Sequence, residues 1–156
     1  MQKGKSQEFA ARVAEASRSE LTVIVYDVIL EDIAEAREIC GKDRDEFKHL
    51  CLHAARFVNE LMSTLDFRYG LAKNLLELYI YVNKQLNDAA FSGRPEPLDE
   101  AWRVIPRLRD AFAEVAKQDK SGPLMANTQQ ITAGLTYGKG SLNEVTLDDS
   151  NRGFLA

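Results

Sequence analysis

Apolar residues recur along most of this chain at three- and four-residue intervals, the spacing of one face of an α-helix. The cleanest series runs Phe47, Leu50, Cys51, Ala54, Phe57, Val58, Leu61, Met62 and Leu65. At about 100° per residue these fall on a single stripe, the core face of a helix. A second stripe holds Leu98, Ala101, Ile105, Leu108, Phe112 and Val115, with Trp102 at its border. Pro106 lies inside it, removes one backbone hydrogen bond and predicts a bend. Three breaks punctuate the pattern: Gly41-Lys42-Asp43, Phe67 to Gly70, and Ser92 to Pro97. The spacing predicts long helices near 19–40, 44–66, 69–91 and 97–118, with a short one at 6–15. Ser17 or Ser19 can cap the first long helix and Asp43 or Asp45 the second. No segment alternates convincingly with period two. Leu21 to Tyr26 is rich in β-branched residues, but Ile29, Ile33, Ala36 and Cys40 restore the helical period. Short connections force neighbouring helices antiparallel. The fold class expected is all-α, an antiparallel four-helix bundle with room for a short fifth helix at the N-terminus.

Two of the helices carry more apolar surface than one face can hold. In 19–40, the wheel puts Leu21, Ile24, Val25, Val28, Ile29 and Ile39 on the core side. Val23, Leu30 and Ala34, flanked by Tyr26 and Ile33, then fall roughly opposite. In 69–91, Leu71, Leu75, Leu78, Tyr79, Val82 and Leu86 make the core side, and Tyr69, Leu76, Ile80 and Phe91 a second stripe. A bundle helix needs one apolar face. The surplus requires a cover, either the chain's own N-terminal arm through Phe9 and Val13, or a partner helix laid in a groove.

Composition changes near residue 121. Before it stand Gly4, Gly41, Gly70 and Gly93; after it come Gly122, Gly134, Gly138, Gly140 and Gly153, without a helical period. The division expected is a folded domain over 1–120 and an extension over 121–156, mobile or ordered by a partner. Ile131, Leu135, Leu142, Val145, Leu147, Phe154 and Leu155 are sparse apolar anchors there. One use for them is docking on the bundle's own grooves. The net charge of −4 argues against a nucleic-acid binder. Cys40 and Cys51 are too few for a disulfide framework and suit a reducing interior as small apolar residues. The first residues show no apolar segment of a secretory signal. The longest apolar run, Leu21 to Leu30, contains Asp27 and falls short of the roughly 20 residues of a membrane span.

Candidate chemistry is thin. His49 and His53 have a chelating spacing, but two ligands do not make a zinc site. Surface histidines are the expectation. Glu46 and His49 make one Glu-x-x-His, where a di-iron bundle needs two plus further glutamates. Gly134 to Gly140 lacks the rest of a phosphate loop. Asp27, Glu31, Glu35 and Glu38 read as a solvated rim, as do Arg103 and Arg107. Nothing in the chain points to catalysis or a cofactor.

Two segments are more specific than their periodicity. One is Ser17-Arg-Ser-Glu20-Leu21 leading to Tyr26-Asp27, preceded by Val13. The other is Leu65-Asp66, then Asn74-Leu75-Leu76-Glu77-Leu78-Tyr79-Ile80-Tyr81, then Leu86-Asn87-Asp88-Ala89. With the Leu108-Arg109 pair, their order and spacing resemble the FliS family of flagellar secretion chaperones over residues 8–118. Arg18 stands where that family often has Pro, and Phe112 where an aromatic closes the pattern. The resemblance implies a cytoplasmic chaperone, not an enzyme, that binds the C-terminal helical segment of flagellin and prevents polymerisation before export. Other flagellar export components are further candidate partners. The wheel then places Val23, Tyr26, Leu30 and Ile33 in one wall of the binding surface and Tyr69, Leu76 and Ile80 in another, with Tyr81 between core and surface. The alternative is a helical adaptor whose extra stripes make a homodimer. The state expected is a monomer or weak homodimer, with no nucleic acid and no membrane insertion.

Overall fold

A computed structural model of the chain describes residues 3–124, which form five helices and, among the described residues, no strand. Helix α1 spans Lys3–Glu15, α2 Arg18–Ile39, α3 Arg44–Ser63, α4 Gly70–Ser92 and α5 Glu96–Gln118. The starts of the four long helices fall within a residue of where periodicity puts them, and at α2 and α3 a capping side chain sets the start. Ser17 accepts the Glu20 N–H at 3.3 Å, and the Glu20 carboxylate accepts the Ser17 N–H at 2.8 Å. This reciprocal box satisfies two otherwise orphaned donors and fixes the start of α2 without a proline. Asp43 caps α3 by accepting the Glu46 N–H at 3.0 Å. Gly93, at φ 73°, ends α4 in the left-handed region that glycine tolerates. Helix α3 stops at Ser63, short of the expected 66, because Thr64 turns both its N–H and its hydroxyl back onto the last carbonyls. Helix α5 runs through Pro106 without ending.

Helices α2, α3, α4 and α5 make a ring in which each packs on the next and α5 closes onto α2. Neighbours run antiparallel. Along the α2–α5 seam Ser19 meets Asp119, Asp27 meets Arg109, and Arg37 meets Asp99. The core holds Tyr26, Ile29, Ile33 and Ala36 of α2 against Phe47, Leu50, Ala54 and Val58 of α3, Val82 and Leu86 of α4, and Leu98 and Ile105 of α5. Across the diagonal, the buried hydroxyls of Tyr26 and Tyr79 hydrogen-bond to each other. Burial first, then that contact, holds the Tyr26 phenol far above its ordinary pKa, so it stays neutral. Phe112 stacks obliquely on Tyr26, centroids 5.5 Å apart.

Helix α1 lies outside this ring and buries none of its own residues. It doubles back along α2, with Lys5 paired to Glu31 and Arg12 to Asp27 at 2.8 Å. Its Phe9 packs on a satellite cluster of Ala16, Ile24 and Val28. The charges read as a solvated rim on α2 are therefore in part covered. Asp27 is held between Arg109 of α5 and Arg12 of α1. Burial acts to raise its pKa, but the hydrogen bonds from the two guanidinium groups outweigh it and hold the carboxyl below its usual range.

The tyrosine pair yields a thermodynamic cycle. Tyr26→Phe or Tyr79→Phe leaves one buried hydroxyl unpaired, and each is expected to cost about 1–3 kcal/mol. The double Phe variant removes both and should cost clearly less than the two singles summed. Urea unfolding measures all four proteins; strict additivity would mean that the hydroxyls do not depend on each other.

Candidate functional site

At one end of the bundle α2 and α4 begin while α3 and α5 finish. Because α3 stops at Ser63, the first turns of α2 and α4 extend past it, and a turn over residues 64–69 spans the gap. Between them lies an open cavity of about 1020 Å³. Its walls are Leu21 and Val25 of α2, Phe57 and Leu61 of α3, Leu65, then Leu71, Ala72, Leu75 and Tyr79 of α4, and Phe112 of α5. Arg18, Arg56, Glu60 and Asp66 also line it. Asp66 is itself engaged by Arg68, whose guanidinium and N–H hold its carboxyl below the ordinary range. Such a surface binds by apolar burial with charges at the margin.

The site residues expected from the sequence separate into two groups. On α2, Tyr26 and Ile33 are fully buried in the core, Val23 is buried, and Leu30 is half-buried against the core. They do not form an open wall, which corrects the face assignment. The reverse holds for Ile24 and Val28, placed in the core by the wheel, which instead meet Phe9 of α1. On α4, Tyr69 and Ile80 are exposed (67% and 53%), Tyr81 is exposed and donates to Glu100 Oε2 at 2.9 Å, and Leu76 is half-buried. Only Tyr69 of the eight lines the large cavity. Leu71 and Leu78 of α4 carry substantial exposure although the wheel counts them as core. Phe91 is exposed at the far end of the same helix. What the periodicity missed is the cavity itself, whose residues sit at helix ends, where an apolar position has no opposing layer.

The histidines divide as well. His49 is exposed, but His53 is not a solvated surface residue: its Nδ1 lies 2.6 Å from Oδ2 of Asp32, which is fully buried. The second oxygen of Asp32, Oδ1, is buried without a hydrogen bond. Burial pushes the Asp32 pKa up, and the hydrogen bond from His53 opposes it only in part. Burial likewise pushes the Cys51 thiol up to about 12, leaving it an inert core residue, whereas Cys40 is half-buried. Among the described residues no group of three or more His, Cys, Asp or Glu is placed to hold a metal, and no helix is long and apolar enough to cross a membrane.

The fold is an antiparallel helical bundle with an apolar cavity at one end and exposed apolar side chains along α4. Comparison with protein families makes the assignment specific. A sequence model described as flagellar protein FliS matches residues 1–119, and the chain belongs to the FliS family of flagellar secretion chaperones. That is a family of chaperones rather than of enzymes. Comparison with curated proteins returned no match.

The Asp32–His53 pair has a pH signature. A carboxyl whose folded pKa lies above the unfolded value of about 3.9 binds more protons when folded, so its contribution to stability grows as pH falls through that interval. Relative to Asp32→Asn, the natural protein is therefore expected to gain stability as the pH falls from neutral toward the unfolded value of about 3.9. Urea unfolding of both across that range checks it; parallel pH profiles would place the Asp32 charge elsewhere.

Proposed function

We propose that this protein is a cytoplasmic export chaperone that binds the C-terminal helical segment of flagellin and keeps it from polymerising before secretion. The observation that carries this reading is the open apolar cavity at the bundle end, with further exposed apolar side chains along α4. Tyr69 and Leu71 stand at the cavity; farther along α4, Leu78 and Tyr81 are exposed on the flank toward α5 and Ile80 on the flank toward α3. An open cavity walled chiefly by apolar side chains is a partner surface rather than a chance distribution. A segment that is disordered when free must recover its ordering cost by burial over many residues. A client whose helical turns insert side chains into the cavity and along one flank of α4 can do so, one side chain in three or four. Membership of a flagellar chaperone family supports a flagellar protein as the client. Of the remaining expected contacts, Val23 lies beside α1 and is reached only if that arm leaves, whereas Tyr26, Leu30 and Ile33 belong to the bundle core. Tyr69, Leu76, Ile80 and Tyr81 need no such change.

Calorimetric titration with the C-terminal segment of a flagellin tests the proposal. A one-to-one complex with a large negative heat-capacity change is expected. Leu71→Asp and Ile80→Asp sit at exposed positions and should leave unfolding stability within about 0.5 kcal/mol. Each should weaken the complex about tenfold or more, about 1.4 kcal/mol. Absence of binding, together with a concentration-dependent dimer in solution, would favour the adaptor reading, in which the apolar surfaces of two copies meet.

A further inference from the structure

The end cavity is approached by the chain's own continuation. After α5, two contacts pin the backbone against the start of α2. The Ser19 hydroxyl donates to Asp119 Oδ2 at 2.7 Å, and the Leu124 N–H donates to the Ala16 carbonyl at 3.0 Å. Asp119 also accepts from the Ser121 N–H at 2.9 Å, and the hydrogen bonds from Ser121 and Ser19 hold its carboxyl well below the usual range. These contacts carry the chain from the α5 terminus across the first turn of α2. Leu124 thereby becomes one of the residues that line the cavity, beside Leu21 and Leu71. The last described residue is thus already at the mouth of an apolar site, and residues 125–156 continue from it.

The sequence around and beyond Leu124 matches the walls. Charged residues make up 28% of the chain, yet residues 121–138 contain no Asp, Glu, Lys or Arg. A segment that stays solvated is expected to be charged and poor in apolar residues. Here Ile131 and Leu135 stand four apart, with Leu142, Val145 and Leu147 beyond. Length is sufficient in any conformation, since even as helix at about 1.5 Å per residue the segment outreaches α4. Attachment at the mouth raises the effective concentration of these side chains to the order of millimolar, so modest burial suffices to hold them.

We propose that residues 125–156 are the resident occupant of this cavity, docking Ile131 and Leu135 against Leu21, Phe57 and Leu71. The groove is filled from within the chain, and any outside ligand of the same walls binds by displacing this segment. The inference concerns the chain alone and holds whether or not flagellin is the client, so its failure and that of the chaperone reading are separable.

The full-length protein tests it directly. A photoreactive benzophenone amino acid replaces the exposed Leu71, and the cross-linked product is mapped by mass spectrometry. The expected product has the mass of one chain, with residue 71 joined to peptides from 125–156; the same probe at the exposed His49 gives no such product. In the full chain carrying Ile131→Asp and Leu135→Asp the cross-link is lost, and amides from Leu71 to Leu75 exchange faster. Cross-links confined to residues 3–124, cross-links that join two copies, or cross-links that survive the aspartates would each overturn the proposal.

Discussion

Helix α2 carries apolar side chains around most of its circumference, and the rest of the structure answers that surplus. Tyr26, Ile29, Ile33 and Ala36 take the bundle centre. Ile24 and Val28 point away from it and are covered by Phe9 of α1. Leu21 and Val25 face the end cavity. A four-helix ring can bury only one of these sectors. The N-terminal arm exists as a helix because α2 offers it something to lie on: none of its own residues is buried, and it is held by Phe9 and by the ion pairs of Lys5 and Arg12. Ion pairs at this exposure contribute little each, so the arm is the least firmly attached of the five helices.

That same surplus decides how much of the molecule is legible in its sequence. The helices, their starts and the core stripe of α3 follow from spacing and from capping residues, because each is decided within a few residues. The inward face of α2 does not. A wheel locates a face when polar residues mark the opposite side, and α2 lacks such a mark. Its charges mislead: Asp32 is buried against His53, and Asp27 is clamped between Arg12 and Arg109. Both acidic residues owe their positions to partners on other helices, which no local pattern records. The exposed Leu71 and Leu78 fail for a related reason. Their spacing is that of core residues, but layers run out at the helix end and at the open α4 flank.

The residues by which the chain resembles its family are mostly those that close the bundle. Tyr26 meets Tyr79 across the diagonal, and Asp27 meets Arg109 along the α2–α5 seam. Leu108 and Phe112 pack on the same core. Three segments far apart in sequence are thus one structural unit, the joint that sets the register of α2, α4 and α5. Recognition of the family through them is recognition of a scaffold. Residues that bind a client must instead be exposed, and on this scaffold the exposed apolar ones belong chiefly to α4 and the cavity.

A binding surface of this kind faces opposing demands. Left bare, the apolar cavity around Leu21, Phe57 and Leu71 would invite self-association. Covered permanently, it could not take a client. An internal segment tethered at Leu124 meets both demands, because it dilutes with nothing and competes at fixed effective concentration. The apparent affinity for an outside ligand is then reduced by the fraction of time the groove is occupied. For a chaperone that must later surrender its client this reduction is useful. If residues 125–156 are the resident occupant, their rebinding covers the cavity walls again as a client leaves. The arm on α2 and the segment after α5 would then play the same part at two places, each a weak intramolecular cover over apolar surface that the four-helix ring cannot bury.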